Sequence, residues 1–402
     1  MLEKAGATPV AHPAFALTEE QLALAELARD FAREHLGPHA VEWDEKKHFP
    51  VDVLRQAAAL GMGGIYISEE VGGAGLTRLD AALIFEGLAT GCPSIAAYIS
   101  IHNMASWMID RFGSQEQRQR FLPRLVSMEH LSSYCLTEPG AGSDAAALKT
   151  RARRDGEFYV LDGVKQFISG AGTSDIYVVM ARTGEAGAAG ISTIVVEKGT
   201  PGLSFGANER KMGWNAQPTR QVIFEDCRVP AENLLGEEGI GFKIAMAGLD
   251  GGRLNIAACS IGGAQAALDK ALAYMGERKA FGKRLEEFQA LQFRLADMAT
   301  ELEAGRSFLW RAAAALDSKN AGATTVDATR LCAMAKRFGT DAGFTVANDA
   351  LQLLGGYGYL ADYGIEKIVR DLRVHQILEG TNEIMRLIVA RGLVGQGFPS
   401  NR

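Results

Sequence analysis

The spacing of apolar residues changes twice along the chain, dividing it into three zones. Up to about residue 128, apolar positions recur at three-to-four spacing, as on helices that bury one face. Thr18-Glu-Glu-Gln21 predicts a capping box, and Leu22, Leu24, Leu27, Ala28 and Phe31 give the apolar face of the helix it opens. Ser114-Gln-Glu-Gln117 predicts a second capped helix. Between them, Glu70-Val-Gly-Gly-Ala-Gly-Leu76 is a glycine-rich connection whose residues permit tight turns.

From about 129 to 240 the pattern shortens. Phe158-Tyr-Val-Leu161 and Val164-Lys-Gln-Phe-Ile168 flank Asp162-Gly163, which predicts a hairpin. Further β-branched runs at 176–180, 191–196 and 221–224 are bounded by Gly, Pro and Asp. Strands without helices between them predict an antiparallel sheet or barrel rather than βαβ units. From about 241 the helical period returns, through 244–275, 288–315, 325–354 and 384–394, and predicts an up-and-down bundle. The expected organisation is a helical domain over 1–128, an antiparallel β-domain over 129–240 and a helical bundle over 241–402. The fold class is α+β and multidomain.

Composition removes several functions. A chain of 402 residues, 47 % apolar and 22 % charged, has the balance of a globular protein. Its formal net charge of −6 provides no basic field for nucleic acid or anionic membrane. Five widely spaced cysteines without a CxxC pattern suggest neither a disulfide framework nor a zinc ribbon, and the seven histidines show no metal-ligand spacing. No run of ~18 apolar residues predicts a membrane span. MLEKAGATPVAHPAF lacks the apolar core of a secretory signal and, without arginine, makes a poor transit peptide. The expectation is a bacterial cytoplasm, or a mitochondrial matrix for a processed protein.

One stretch invites a nicotinamide reading. In Tyr134-Cys-Leu-Thr-Glu-Pro-Gly-Ala-Gly-Ser143, Gly140-x-Gly142-x-x-Ala145 fits the loose dinucleotide pattern. That fingerprint needs a full crossover helix to a parallel strand, and 145–149 gives barely one turn before the next strand. The stretch reads better as a loop of exposed backbone N–H groups that can press against a flat or anionic ligand. Thr137 and Ser143 add hydroxyls.

With YCLTEPGAGSD at 134–144 stand FIS at 167–169, RKAFGK at 278–283, LQFRLADM at 291–298, QLLGGYGY at 352–359 and RDLRVHQILEGTNEIMR at 370–386. In these segments, ordered over most of its length, the chain resembles the acyl-CoA dehydrogenases, a family of flavoproteins. The resemblance implies an N-terminal helical domain, a central β-domain and a C-terminal four-helix bundle. It also implies α,β-dehydrogenation of an acyl-CoA thioester with FAD. KGTPGLSFG at 198–206, GWNAQPTR at 213–220, VIFEDC at 222–227 and GLDGGRLNIAACS at 248–260 look most like the branch acting on isobutyryl-CoA. The 2-methylbutyryl and butyryl branches stay open as alternatives.

Such a reaction needs a base for the α-proton and a hydride acceptor at the β-carbon, and no side chain accepts hydride. The resemblance places the base at Glu379. A solvated Glu favoured by a helix N-terminus is the plain alternative. A carboxylate in water, with pKa about 4.3, is feeble for this task, and exclusion of water would raise it. The backbone N–H of Glu379 is expected to help stabilise the developing enolate. Isovaleryl-type members carry their base at the position of Gly252, which here has no side chain.

For FAD, the resemblance implies Tyr134, Cys135, Leu136, Thr137, Gly142, Ser143, Phe167, Ile168 and Ser169 around the flavin. Many relatives have Trp at the position of Phe167. Thr381, Asn382 and Glu383 fall nearer the adenosine half. Arg278, Phe288, Gln289, Gln352, Leu353, Leu354, Gly355 and Gly356 are expected to reach the cofactor of a neighbouring subunit. CoA contacts are expected from Ser143, Asp250, Gly251, Gly252, Arg253 and Arg391. The implied partners are an electron-transfer flavoprotein and further copies of the chain, as a homotetramer built from two dimers. A non-catalytic CoA- or flavin-binding scaffold and an oxygen-using relative are the other readings. Intact Glu379 and the 134–143 loop oppose the first, and the base with no extra domain opposes the second.

Overall fold

The computed structural model describes residues 17–323 and 327–395. The N-terminal segment read above for targeting, and the first positions of the 325–354 helical stretch, lie outside the described residues. Six helices open the described chain: α1 (Glu19–Phe31), α2 (Ala40–Lys46), α3 (Val51–Ala59), α4 (Arg78–Ala89), α5 (Pro93–Phe112) and α6 (Gln115–Val126). Both predicted capping boxes form, at Thr18 with Gln21 and at Ser114 with Gln117. A third closes between Thr77 and Asp80 at the start of α4.

The buried face of α1 departs from the expectation. Ala25, Ala28 and Phe31 are buried, whereas Leu22 and Leu27 face solvent. The cause lies in α4. A Cβ on Gly87 would stand 2.8 Å from the Ala28 methyl, so small residues let the two helices approach closely. The Ala side of α1 takes that contact and the leucines turn outward.

Eight strands follow among the described residues: β1 (Ser132–Cys135), β2 (Arg151–Asp155), β3 (Phe158–Ser169), β4 (Ile176–Arg182), β5 (Ile191–Glu197), β6 (Leu203–Phe205), β7 (Thr219–Pro230) and β8 (Leu234–Leu235). They form one sheet in the order β6-β7-β3-β2-β4-β5-β8, with β1 beside β4. Pairing is antiparallel except for β1 with β4 and a single pair between β2 and β4. No hairpin turns at Asp162-Gly163. β3 runs straight through it, and the register against β7 slips between Leu161 and Gly163. Gly163, at φ +148°, is a strand irregularity, and a Cβ there would meet Thr150 Oγ1 at 2.5 Å. The hairpin falls earlier, at Gly156-Glu157, where Asp155 pairs with Phe158 and Gly156 takes φ +58°.

The last zone holds α7 (Gly241–Glu277), a two-strand ribbon of β9 (Lys279–Ala280) and β10 (Lys283–Arg284), α8 (Gln289–Asn320), α9 (Ala328–Leu353), α10 (Ile365–Arg373) and α11 (Asn382–Leu393). Helix α7 ties the zones together. The largest core joins Phe85 and Tyr98 of the first zone to Leu254 and Ile261 of α7, Leu309 of α8 and Ala347 of α9. A second joins Met104 and Met108 of α5, Val178 and Val195 of the sheet, and Leu249 of α7. Residues 244–264 of α7 are therefore buried nearly all round, as expected of a helix inside a large core.

Candidate active site

Glu379 lies in the segment between α10 and α11, two residues before the Thr381 cap of α11. Its backbone is left-handed, at φ +55°, and Gly380 follows at φ +91°. A non-glycine residue held there is strained unless its surroundings over-determine it. Thr381 then caps α11, its hydroxyl accepting from the Ile384 N–H at 3.3 Å. The left-handed turn carries the carboxyl inward instead of leaving it at the helix mouth. Glu379 is partly exposed as a residue, but its Oε2 is buried and has no hydrogen-bond partner among the described residues. Burial pushes the carboxyl up to about 7, against the opposing charges of Lys336 and Arg253.

Helix α7 makes room for this carboxyl. A Cβ on Gly252 would lie 2.4 Å from Glu379 Oε2 and 2.8 Å from Met104 Sδ. Gly248 and Gly251 stand on the same side, facing Met108 and the Arg78 guanidinium. Arg253, the next residue, donates through Nε to the Glu379 carbonyl at 3.3 Å and through Nη1 to Asp250 at 3.1 Å. Asp250 also accepts from Thr329 at 2.6 Å and Lys319 at 3.2 Å. Asp250 and Arg253 are both buried, so the structure spends their charges on protein partners and on the turn carrying Glu379.

The glycine loop after β1 is built as expected of an exposed backbone. Among the described residues, a Cβ on Gly140 or Gly142 would meet nothing within 4 Å, and Gly142 and Ser143 are exposed. Cys135 and Leu136 are buried below it. The Thr137 carbonyl accepts from the Gln166 N–H at 2.8 Å, and the Ser133 hydroxyl donates to the Ser169 carbonyl at 2.6 Å. These bonds bring the 134–143 and 167–169 segments side by side. Lys165 and Glu138 lock them from below at 2.8 Å, and Lys165 also donates to the Leu136 carbonyl at 3.0 Å. Ile168 is buried, whereas Phe167 is 62 % exposed with φ +59°. A large apolar ring strained outward beside a bare backbone loop suits a flat aromatic ligand. The Tyr134 hydroxyl, like Glu379 Oε2, is buried and has no hydrogen-bond partner among the described residues. Charge on Glu379 bears on the titration of Tyr134, which places both in one electrostatic neighbourhood.

The remaining expected positions separate. Arg278 and Gln352 to Gly356 line one groove of about 550 Å³ that contains neither Glu379 nor the 134–143 loop. Phe288 stands near it, against Phe281, and Gln289 is exposed at the start of α8. Asn382 is buried, its amide donating to Thr340 and Asp341 and its oxygen accepting from Lys336. Glu383 is exposed, and Arg391 lies in the last turn of α11. Lys336, Arg78, Tyr66 and Met104 escaped the sequence reading. Arg78 is buried, 3.7 Å from the Tyr66 ring centroid and 4.8 Å from that of Trp107. The available signals were a lone lysine in an apolar helix and glycines at 248, 251 and 252 on one helix side.

Three family descriptions cover this architecture in order. The acyl-CoA dehydrogenase N-terminal domain matches residues 18–129, the middle domain 133–227 and the C-terminal domain 239–394. Over 382 residues the chain is 57 % identical to a mitochondrial isobutyryl-CoA dehydrogenase of Bos taurus, covering 95 % of this chain and 91 % of that one. It is 56 % identical over 385 residues to the Dictyostelium discoideum protein of the same name, covering 96 % and 91 %. The solved structure of butyryl-CoA dehydrogenase from Megasphaera elsdenii matches with TM-score 0.90 at 39 % identity, over 94 % of this chain and 99 % of that one. The chain belongs to the acyl-CoA dehydrogenase family.

Proposed function

We propose that this chain dehydrogenates a short branched acyl-CoA, with isobutyryl-CoA the substrate best supported, and that Glu379 removes the α-proton. The observation carrying this reading is the buried, unpartnered Oε2 of Glu379, raised to about 7 by loss of water. A base whose pKa lies near the working pH is ionised often enough to act and basic enough to take a proton. The names of both close relatives support the branched substrate.

The α C–H bond breaks toward Glu379, which ends the step protonated. FAD, the cofactor of the family, supplies the acceptor for the β-hydride when bound. The residues that would hold it are the bare loop at 139–143, Thr137, Phe167 and Ser169, with Thr381 and Glu383 toward its far half. The Glu379 N–H is the chain's own donor for the thioester oxygen, where negative charge grows as the proton leaves. Arg253 and Lys336 hold the turn from two sides.

Electrons leave to an electron-transfer flavoprotein, and two copies of the chain meet at the groove holding Arg278 and Gly355. The rim supports that contact. Phe281 is 96 % exposed and Tyr359 83 %, more apolar surface than a monomer keeps without purpose. Pairing of two such dimers would give the tetramer. Both of these relatives are named as mitochondrial, which supports a mitochondrial setting for this chain.

The test is anaerobic reduction of the purified flavoprotein. Isobutyryl-CoA should bleach the flavin band faster than 2-methylbutyryl-CoA or butyryl-CoA, and Glu379→Gln should retain FAD but lose reduction by about 10²–10⁴-fold. Rapid reduction in Glu379→Gln would sink the base assignment. A faster rate with either competing acyl-CoA would move the substrate.

A further inference from the structure

Lys336 sits inside α9, in the apolar stretch Leu331-Cys-Ala-Met-Ala-Lys336, and is fully buried. Its ammonium donates to the Gly380 carbonyl at 2.9 Å and to Asn382 Oδ1 at 2.9 Å. Both acceptors are neutral. A buried cation bonded only to neutral oxygens costs stability, and an apolar side chain of similar length would pack there more cheaply. What it provides is position and field. Its two bonds straddle Thr381 and fasten the residues on either side of it. One of them is Gly380, the partner of Glu379 in the left-handed turn.

We propose that Lys336 is a positioning residue for the base: it clamps the Glu379-Gly380-Thr381 turn and sets an uncompensated positive charge beside the carboxylate. Of the other nearby cations, Arg78 of α4 lies over the Tyr66 and Trp107 rings, and the charges that oppose the raised Glu379 carboxyl are those of Lys336 and Arg253. Arg253, from α7, reaches the Glu379 carbonyl, but its charge is met by Asp250 at 3.1 Å. Tyr134, Tyr66 and Cys259 feel the charge on Glu379, and burial raises all three, so they stay neutral near pH 7. Around Lys336 stand Glu379, Arg253, Asp341 and Glu383, and burial pushes His375 down to about 3, so it is neutral. Asp341 and Glu383 share Arg386, and Asp341 also pairs with Arg337. Burial lowers Lys336 to about 8 with Glu379 the first opposing charge, so near neutrality it carries its proton.

The inference rests on Glu379 being the base, and the experiment separates the two. Holoenzymes of Lys336→Met and Lys336→Gln are compared with the parent in flavin content, thermal midpoint and the pH profile of second-order flavin reduction. Ionisation of Glu379 sets the acid limb. Removing the cation disfavours the carboxylate, so the limb should move up by about one pH unit, slowing reduction about fivefold at pH 7. Lys336→Gln keeps a neutral donor for the Gly380 carbonyl and serves where Lys336→Met fails to fold. Lys336→Arg, which keeps the charge, should return the limb toward the parent. An acid limb unmoved in the neutral variants overturns the proposal, whatever their thermal midpoint. Reduction persisting in Glu379→Gln overturns the base reading instead.

Discussion

Gly252 faces the carboxyl of Glu379 so closely that a single added methyl would stand 2.4 Å from Oε2. The contact is not elastic on its other side, where Met104 Sδ would lie 2.8 Å away. Gly252→Ala must therefore displace the Glu379 side chain, the methionine or the helix. The flexible carboxylate is the softest of the three. Misplacing a base by about 1 Å can cost about 10²-fold. The expected result is flavin reduction slowed roughly 10–100-fold with FAD content unchanged. Stopped-flow reduction with isobutyryl-CoA checks it, and a parent-like rate would show that the site relaxes freely around the methyl.

The raised carboxyl also has a stability consequence. Folding lifts Glu379 from its ordinary 4.5 to about 7, so the folded state binds this proton more tightly than the unfolded chain. Its contribution is fully present below pH 4.5 and is lost as pH rises through about 7. Glu379→Gln removes the ionisable group but keeps its shape. At pH 8 the variant should melt about 2–4 °C above the parent, with the gap closing toward pH 5. Paired thermal scans across that range decide it. A variant less stable than the parent at pH 8 would mean the carboxylate is better solvated than its burial implies.

Much of the scaffold was legible because local chemistry and tertiary structure agreed. The capping boxes at Thr18 and Ser114 formed where the side chains demanded. The failures have common physical roots. Asp162-Gly163 has turn chemistry, but pairing with β7 keeps β3 extended and uses the glycine for a slip in register. Leu22 and Leu27 obey the helical period, yet Gly87 offers close contact to the alanine side of α1. Residue identity at the site was readable through Glu379 and the 134–143 loop. Backbone state was not: nothing in their letters marks Glu379 and Phe167 as left-handed. Nor does sequence spacing tell that Arg253 meets the Glu379 carbonyl across 126 positions, or that Lys336 reaches Gly380 across 44.

Two buried histidines predict the acid limit of the fold. His102 Nδ1 accepts from the Ser132 N–H at 3.1 Å while Nε2 donates to the Leu125 carbonyl at 2.9 Å. A proton on Nδ1 would face a donor. Trp214 donates to His375 Nε2 at 3.3 Å, leaving Nδ1 to donate to Ser260 at 2.6 Å. Burial lowers the two to about 4 and about 3 from 6.5. Their contribution to stability is complete above pH 6.5 and is lost as pH falls through those values. The thermal midpoint should decline between pH 6.5 and 4, and His102→Gln should flatten that decline while lowering stability at pH 7. An equally steep decline in the variant would assign acid sensitivity to other groups.

The pair beneath the glycine loop gives a prediction that links stability to cofactor retention. Lys165 is fully buried and Glu138 nearly so. Burial works to raise Glu138, but the Lys165 charge and the hydrogen bonds to the carboxylate prevail and hold it below the ordinary carboxylate range. Glu138 also accepts from the Lys149 N–H at 2.6 Å and the Thr150 N–H at 2.9 Å, so it ties the loop's far end to the start of β2. Lys165→Met strips the counter-charge from a buried carboxylate and frees the Leu136 carbonyl. That should cost about 3–5 kcal/mol, and FAD should dissociate more readily because the loop loses its anchor. Adding Glu138→Gln removes the stranded charge and should recover part of the stability, while the loop stays less well anchored than in the parent. Denaturant unfolding with FAD release by fluorescence measures both. If the double variant is no more stable than Lys165→Met alone, the cost comes from lost packing and not from the unpaired charge.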